Sequence, residues 1–305
     1  MFKRKSRRKI ENIVLTGFLA VVLTAVGMTL RYIHGYWRDA EACRQLRDSG
    51  AHVSEHYEVS AWWANLARTM GLGTNGFERT TFAVRLIAPT DSAHALRTAA
   101  RLSDLVELGI YNAPDVDDHT LAAVRDCTDV RRLELGKTGV TDAGLRQLSG
   151  WGRLQRVSIL GSRVTHEGIL FLVDLPTVQS VMCDGASTTG VTLDDLAFKS
   201  PDGETPQVGQ PLTVSGRLSL RFPVPTGTPA TVQVAVDAQD QRLTGSAAVT
   251  LDAANQAAFS LTATNTSDNL RPGPKTVRVV VTLRLKATVF YQFEPIHLMV
   301  ESKRP

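Results

Sequence analysis

Cysteine is scarce in this chain, three residues in 305. An odd count excludes a complete disulfide framework, so packing rather than covalent stapling has to hold the fold. Cys127 and Cys183 read as small buried apolar side chains, and Cys43 stays open as a free or intermolecular thiol. An excess of either charge is missing from most of the chain as well. The net charge is +4, and residues 1–12 alone carry Lys3, Arg4, Lys5, Arg7, Arg8 and Lys9 against Glu11, or +5. The other 293 residues therefore sum to −1. A body this close to neutral argues against a nucleic-acid partner, which calls for a basic face on the folded domain.

Catalytic and cofactor patterns are also absent. His52-Val53-Ser54-Glu55-His56 lacks the His-Glu-x-x-His order of zinc-protease helices. On a strand, two rings four residues apart lie about 13 Å from each other, too far for one ion. Gly71-Leu72-Gly73-Thr74-Asn75-Gly76 matches G-x-G-x-x-G, but a helical phrase precedes it and a strand phrase follows. That reverses the strand-then-helix context in which phosphate meets a helix N-terminus, so no cofactor is expected. There is no Gly-x-Ser-x-Gly elbow and no Ser-Lys spacing. Asp115-Asp117-Asp118 and Asp194-Asp195 lack the bidentate Glu of a calcium loop and read as turn and cap residues. No catalytic, cofactor-binding or metal-ligating residue is assigned, and the chain is expected not to be an enzyme.

Past the basic tip, Ile13 to Leu30 are eighteen residues without a charge. That is about the minimum length for a helix to cross the hydrocarbon core. It exceeds the roughly 7–15 residues of a signal-peptide apolar region, so an uncleaved signal-anchor is expected over a cleaved leader. The flanking cations place the N-terminus in the cytoplasm and the bulk outside the cytoplasmic membrane.

The organising feature is a repeat. Leu105, Val130, Leu154 and Val178 open equivalent strand phrases spaced 25, 24 and 24 residues apart. The phrases are Leu105-x-x-Leu108-x-Ile110, Val130-x-x-Leu133-x-Leu135, Leu154-x-x-Val157-x-Ile159 and Val178-x-x-Val181-x-Cys183. Helix phrases follow the first three in register, as Leu121/Leu145/Ile169 and Val124/Leu148/Leu172. Thr81-x-x-Val84-x-Leu86 opens a degenerate first coil. This period and order of elements predict an α/β leucine-rich repeat solenoid of about four coils. Thr141 and Thr165 are placed to cap helices, with Asp142 in a first turn.

Val140-Thr141-Asp142-x-Gly144-Leu145 resembles the Val-Thr-Asp-x-Gly-Leu repeats of bacterial membrane-anchored leucine-rich repeat proteins. Val164-Thr165-His166-x-Gly168-Ile169 departs from that pattern at His166 and Ile169. The resemblance covers roughly residues 38–186. It implies a protein-interaction scaffold with no catalytic residues to carry over.

From Thr188 the beat stops, and strand phrases separated by Gly, Pro, Asp and Asn turns take its place. Alternation is clear in Leu212/Val214/Gly216/Leu218/Leu220, Val232/Val234/Val236 and Val277/Val279/Val281/Leu283/Leu285. About seven short strands predict an all-β immunoglobulin/fibronectin-like sandwich, without the Cys…Trp…Cys of antibody domains. Phe290, Tyr291 and Phe293 are candidates for a sugar-stacking platform, with core filling as the commoner role of such residues.

The expected organisation is therefore a basic tip (1–12), a transmembrane helix (13–32), a helical flank (33–80), the repeats (81–186) and the sandwich (187–305). The candidate binding site is the outward strand face of the repeats. It comprises Glu107, Arg132, Arg156 and Ser180 in one column, with Arg131 and Gln155, and Glu134 and Ser158, beside it. The expected function is binding of an unidentified protein partner there. The alternative is a cell-wall polysaccharide bound on the sandwich.

Overall fold

In the computed structural model, Leu108, Leu133, Val157 and Val181 lie side by side across four strands, all buried. The structure describes residues 34–59, 78–185, 189–200, 211–238, 241–263 and 273–300, together with Leu23, Gly27 and Thr69. Residues 34–48 are helical (α1) and precede β1 (His52–Val59) and β2 (Glu78–Ile87). Four helix–strand steps follow. They are α2 (Ser92–Ala99) to β3 (Leu105–Ala113), α3 (Asp118–Leu121) to β4 (Arg132–Thr138), α4 (Asp142–Arg146) to β5 (Arg156–Ser158), and α5 (His166–Asp174) to β6 (Ser180–Asp184). β2 to β6 pair in parallel in chain order, and β1 closes the near edge antiparallel.

The repeat motif has a physical account in these steps. Asp118 accepts the Thr141 amide at 2.8 Å and its hydroxyl at 2.6 Å, and Asp142 does the same for Thr165 at the same distances. Thr141 and Thr165 in turn cap α4 and α5. Gly144 and Gly168 lie against the Asp118 and Asp142 carboxylates, where a Cβ would collide. Thr, Asp and Gly thus tie α4 to α3 and α5 to α4. A second ladder runs along the far ends of the strands. Ala88, Asn112, Lys137 and Gly161 all have φ between 47° and 70°, at the next-to-last residues of β3 and β4 and just past the ends of β2 and β5. Only Gly adopts this region without steric cost.

His166 stands where the ladder would place its next Asp. No further step follows, and its ring stacks on Phe222 at 5.7 Å and 5°. Phe222 is buried and belongs to the C-terminal half.

That half contains β7 (Val191–Lys199), β8 (Leu212–Leu220), β9 (Pro229–Ala238), β10 (Gln241–Thr250), β11 (Gln256–Ala263), β12 (Gly273–Arg284), β13 (Thr288–Gln292) and β14 (Ile296–Val300). It does not form a sandwich separate from the repeats. β13 pairs in parallel with β6, Val181 beside Val289 and Cys183 beside Tyr291, and the sheet continues antiparallel through β12, β9 and β10. β14 adds to β12, and β11, β8 and β7 form a second, three-stranded sheet.

These pairings correct the expected solenoid-plus-sandwich. The protein is mixed α/β, built on one large sheet of parallel and antiparallel strands that crosses the boundary drawn at residue 186. The physical reason is the open edge of β6. Its amides and carbonyls need partners, and β13 supplies them where a closed solenoid would need a cap. A 24-residue beat reports how strands and helices alternate, and carries no information about where the sheet ends.

One side of the large sheet is covered throughout. Leu121, Leu145, Leu148 and Leu172 of the helical layer share a single buried core with Leu133, Val181, Val232 and Val281 of the large sheet and Val214 and Leu261 of the small one. α1 joins through Ala42, Cys43 and Leu46, and its Asp39 accepts hydrogen bonds from the Ser103 amide and hydroxyl.

Among the described residues no helix is long and apolar enough to cross a membrane. The expected anchor, residues 13–32, lies outside the described residues apart from Leu23 and Gly27. The expectation of a single-pass protein of the cytoplasmic membrane is therefore withdrawn, since eighteen uncharged residues sit at the lower limit for a span and length alone does not make one. Trp62, Trp63 and the Gly71–Gly76 stretch also lie outside the described residues.

Candidate functional site

Because strand side chains alternate between faces, burying Leu133 and Leu135 turns Arg132 and Glu134 outward on the uncovered side. Registry then sets the rows. Glu107 pairs with Arg132, Arg132 with Arg156, and Arg156 with Ser180, so the four residues expected in one column do stand in one. Glu134 and Ser158 form the neighbouring row. Arg131 and Gln155 precede their strands and are joined by the backbone, since the Gln155 amide donates to the Arg131 carbonyl at 2.8 Å.

The row is longer than the repeats. Ser180 stands beside Thr288, and Thr288 beside Arg284, so the line runs Glu107, Arg132, Arg156, Ser180, Thr288, Arg284 across six strands. Thr288 and Arg284 carry no sign of this in the sequence, because they lie where the 24-residue beat has ceased.

Two shallow depressions flank this line. One, of about 340 Å³, is lined by Glu107, Arg131, Arg132, Gln155 and Arg156 together with His56. The other, of about 750 Å³, lies at the seam between the two halves against Gln155, Gln179, Arg284, Lys286 and Thr288. They meet at Gln155. Within the first, Arg132 pairs with Glu107 at 3.1 Å, both side chains about one-third exposed. Such a pair contributes up to about 1 kcal/mol to stability. Lys286 pairs with Asp174 at 2.5 Å. Arg156 and Arg284 are exposed, and among the described residues neither pairs with a carboxylate.

Glu134 is not a free outward carboxylate. The Tyr111 hydroxyl donates to it, and the Tyr111 ring lies over Gly109 and Gly136, where a Cβ would meet the ring at 3.0 and 2.8 Å. The sequence holds a signal for this in its two strand glycines, which mark close approach of another group.

The remaining polar candidates are scattered. His119 and His166 sit at the starts of α3 and α5, on the helical side. His52 lies within hydrogen-bond reach of Ser54, Asp194 accepts from the Thr192 hydroxyl, and Asp195 pairs with Arg217 at 3.8 Å. Among the described residues no three His, Cys, Asp or Glu side chains are grouped to hold a metal ion. All three cysteines are free. Burial pushes the Cys43 and Cys127 thiols up to about 11 and raises Cys183 well above the ordinary thiol range, which leaves them protonated and poorly nucleophilic at neutral pH. Tyr291 is buried among core residues and cannot stack on a sugar, and the Phe293 ring lies against Gly185.

No protein-family model matches this chain, and no curated protein does. Among solved structures, the C-terminal domain of wzt aligns at 8% identity and a TM-score of 0.29, over 38% of this chain and 75% of that one. A protein of Arabidopsis thaliana known from its solution structure aligns at 6% identity and a TM-score of 0.27, over 38% and 83%. A β-glucosidase from Listeria innocua, in complex with glucose, aligns at 9% identity and a TM-score of 0.24, over 68% and 42%. Likeness at this level carries no argument about fold or function.

Proposed function

We propose that this protein is a non-enzymatic binding scaffold that docks a protein partner on the open face of its large sheet. The contact residues are Glu107, Arg132, Arg156 and Ser180, flanked by Arg131, Gln155, Glu134 and Ser158. The observation that carries this reading is the one-sided covering of the sheet. Helices and then a second sheet pack one face along its whole width, while the other keeps charged, polar and aromatic side chains beside two depressions.

The dimensions suit the role. The polar row crosses six strands about 4.8 Å apart, a line of about 24 Å that an extended segment of a partner can follow. The likeness of the repeat motif to bacterial interaction scaffolds supports the same reading. A carbohydrate-binding role centred on Tyr291 has no exposed ring to work with.

Affinity capture from extracts of the source cell, with the full chain as bait, tests the proposal. Changing both Arg132→Glu and Arg156→Glu should remove the specific partners of the unaltered chain. Unchanged capture would eliminate this face as the docking surface.

A further inference from the structure

We infer that the segment docking here is an extended acidic peptide lying across the strands, with two carboxylates about four residues apart, one on Arg156 and one on Arg284. The inference rests on the docking-face reading and deepens it.

The row itself sets the charge pattern. Glu107 already engages Arg132 at 3.1 Å, and Lys286 is engaged by Asp174 at 2.5 Å. Arg156 and Arg284 are the exposed guanidinium groups left on the row without a carboxylate among the described residues. Between them stand the hydroxyls of Ser180 and Thr288, with the amides of Gln155 and Gln179 alongside. Planar guanidinium forks favour carboxylates, while hydroxyls and amides suit the backbone N–H and C=O groups of a peptide.

Spacing then selects among anions. Arg156 and Arg284 are separated by three strand intervals, about 14 Å between Cα atoms. An extended chain rises about 3.4 Å per residue, so about four residues bridge the gap. Each strand of a nucleic-acid duplex carries a phosphate about every 3.4 Å of its axis and would leave several of them over uncharged hydroxyls. The two sites lie further apart than the Debye length of about 8 Å at physiological salt, so each carboxylate is held nearly independently.

The test is an array of peptides carrying two Glu in a Gly/Ser background, their separation varied from adjacent to ten residues, probed with the full-length protein. Binding should peak at separations of three to five residues. Arg156→Ala and Arg284→Ala should each weaken it by about twofold to fivefold, the double variant by about the product. Both side chains are exposed, so neither variant should unfold the chain. Binding that ignores separation, or that survives Arg284→Ala, would overturn the inference. So would tighter binding of single-stranded DNA or heparin than of the best peptide. Partner capture that depends on Arg132 and Arg156 beside an indifferent array would overturn only the peptide inference. Indifference in both experiments would overturn the docking face as well.

Discussion

The Asp142 carboxylate accepts two hydrogen bonds from Thr165, one from the amide at 2.8 Å and one from the hydroxyl at 2.6 Å. Gly168 sits against that carboxylate because any Cβ there would collide with it. The motif that suggested a repeat family is thus a bracket between successive steps. Asp142→Ala should lower stability by about 2 kcal/mol, and Asp142→Asn by less because its amide keeps a carbonyl acceptor. Gly168→Ala should cost about 1–3 kcal/mol alone and clearly less beside Asp142→Ala. Urea unfolding of the four proteins in the cycle checks both, and strict additivity would deny the bracket.

His166 closes that ladder by stacking on Phe222. Restoring the motif with His166→Asp should destabilise the protein by about 1–2 kcal/mol, since the new carboxylate meets an aromatic face and the Thr at the matching spacing, Thr189, already donates its hydroxyl to the Asp184 carbonyl at 2.8 Å. A thermal melt that rises on this substitution would show that the departure from the motif is incidental.

Asp117 caps α3, and the Thr120 amide and then its hydroxyl hold the Asp117 carboxyl below the usual carboxylate range. The folded state therefore favours the ionised form. Its contribution should be fully present above the unfolded value of about 3.9 and fade as pH falls through the lower folded value. The gap in denaturation midpoint between the unaltered protein and Asp117→Ala should accordingly be wider at pH 6 than at pH 2, and a constant gap would contradict the cap.

Val181 and Val289 are fully buried neighbours on β6 and β13, the only parallel seam joining the two halves among the described residues. If the shared sheet makes one cooperative unit, near- and far-ultraviolet circular dichroism should report a single coincident unfolding transition. Val289→Asp should split or abolish it, because a carboxylate would be buried in the seam.

What the sequence made legible is local. The strand phrases through Leu108, Leu133, Val157 and Val181 are buried side by side, and the alternating runs at 212–220 and 277–285 lie in β8 and β12. Both follow from short-range periodicity. The choice of β13 as the neighbour of β6 does not, because a strand edge accepts any partner of fitting register and no repeat links residues 180–184 to 288–292. For the same reason Arg132 and Arg156 could be placed on a row by counting, while Thr288 and Arg284 join it only through that long-range pairing. Tyr111 was missed although Gly109 and Gly136 marked its resting place.

A photo-crosslinking residue placed singly at Ser158, on the open face, and at Gln147, exposed on the helical side, tests the central claim most directly. After irradiation in source-cell extract, the Ser158 position should yield a discrete protein adduct that disappears with Arg156→Glu, and Gln147 should yield none. An adduct formed at Gln147 and not at Ser158 would place the partner on the opposite side and contradict the account.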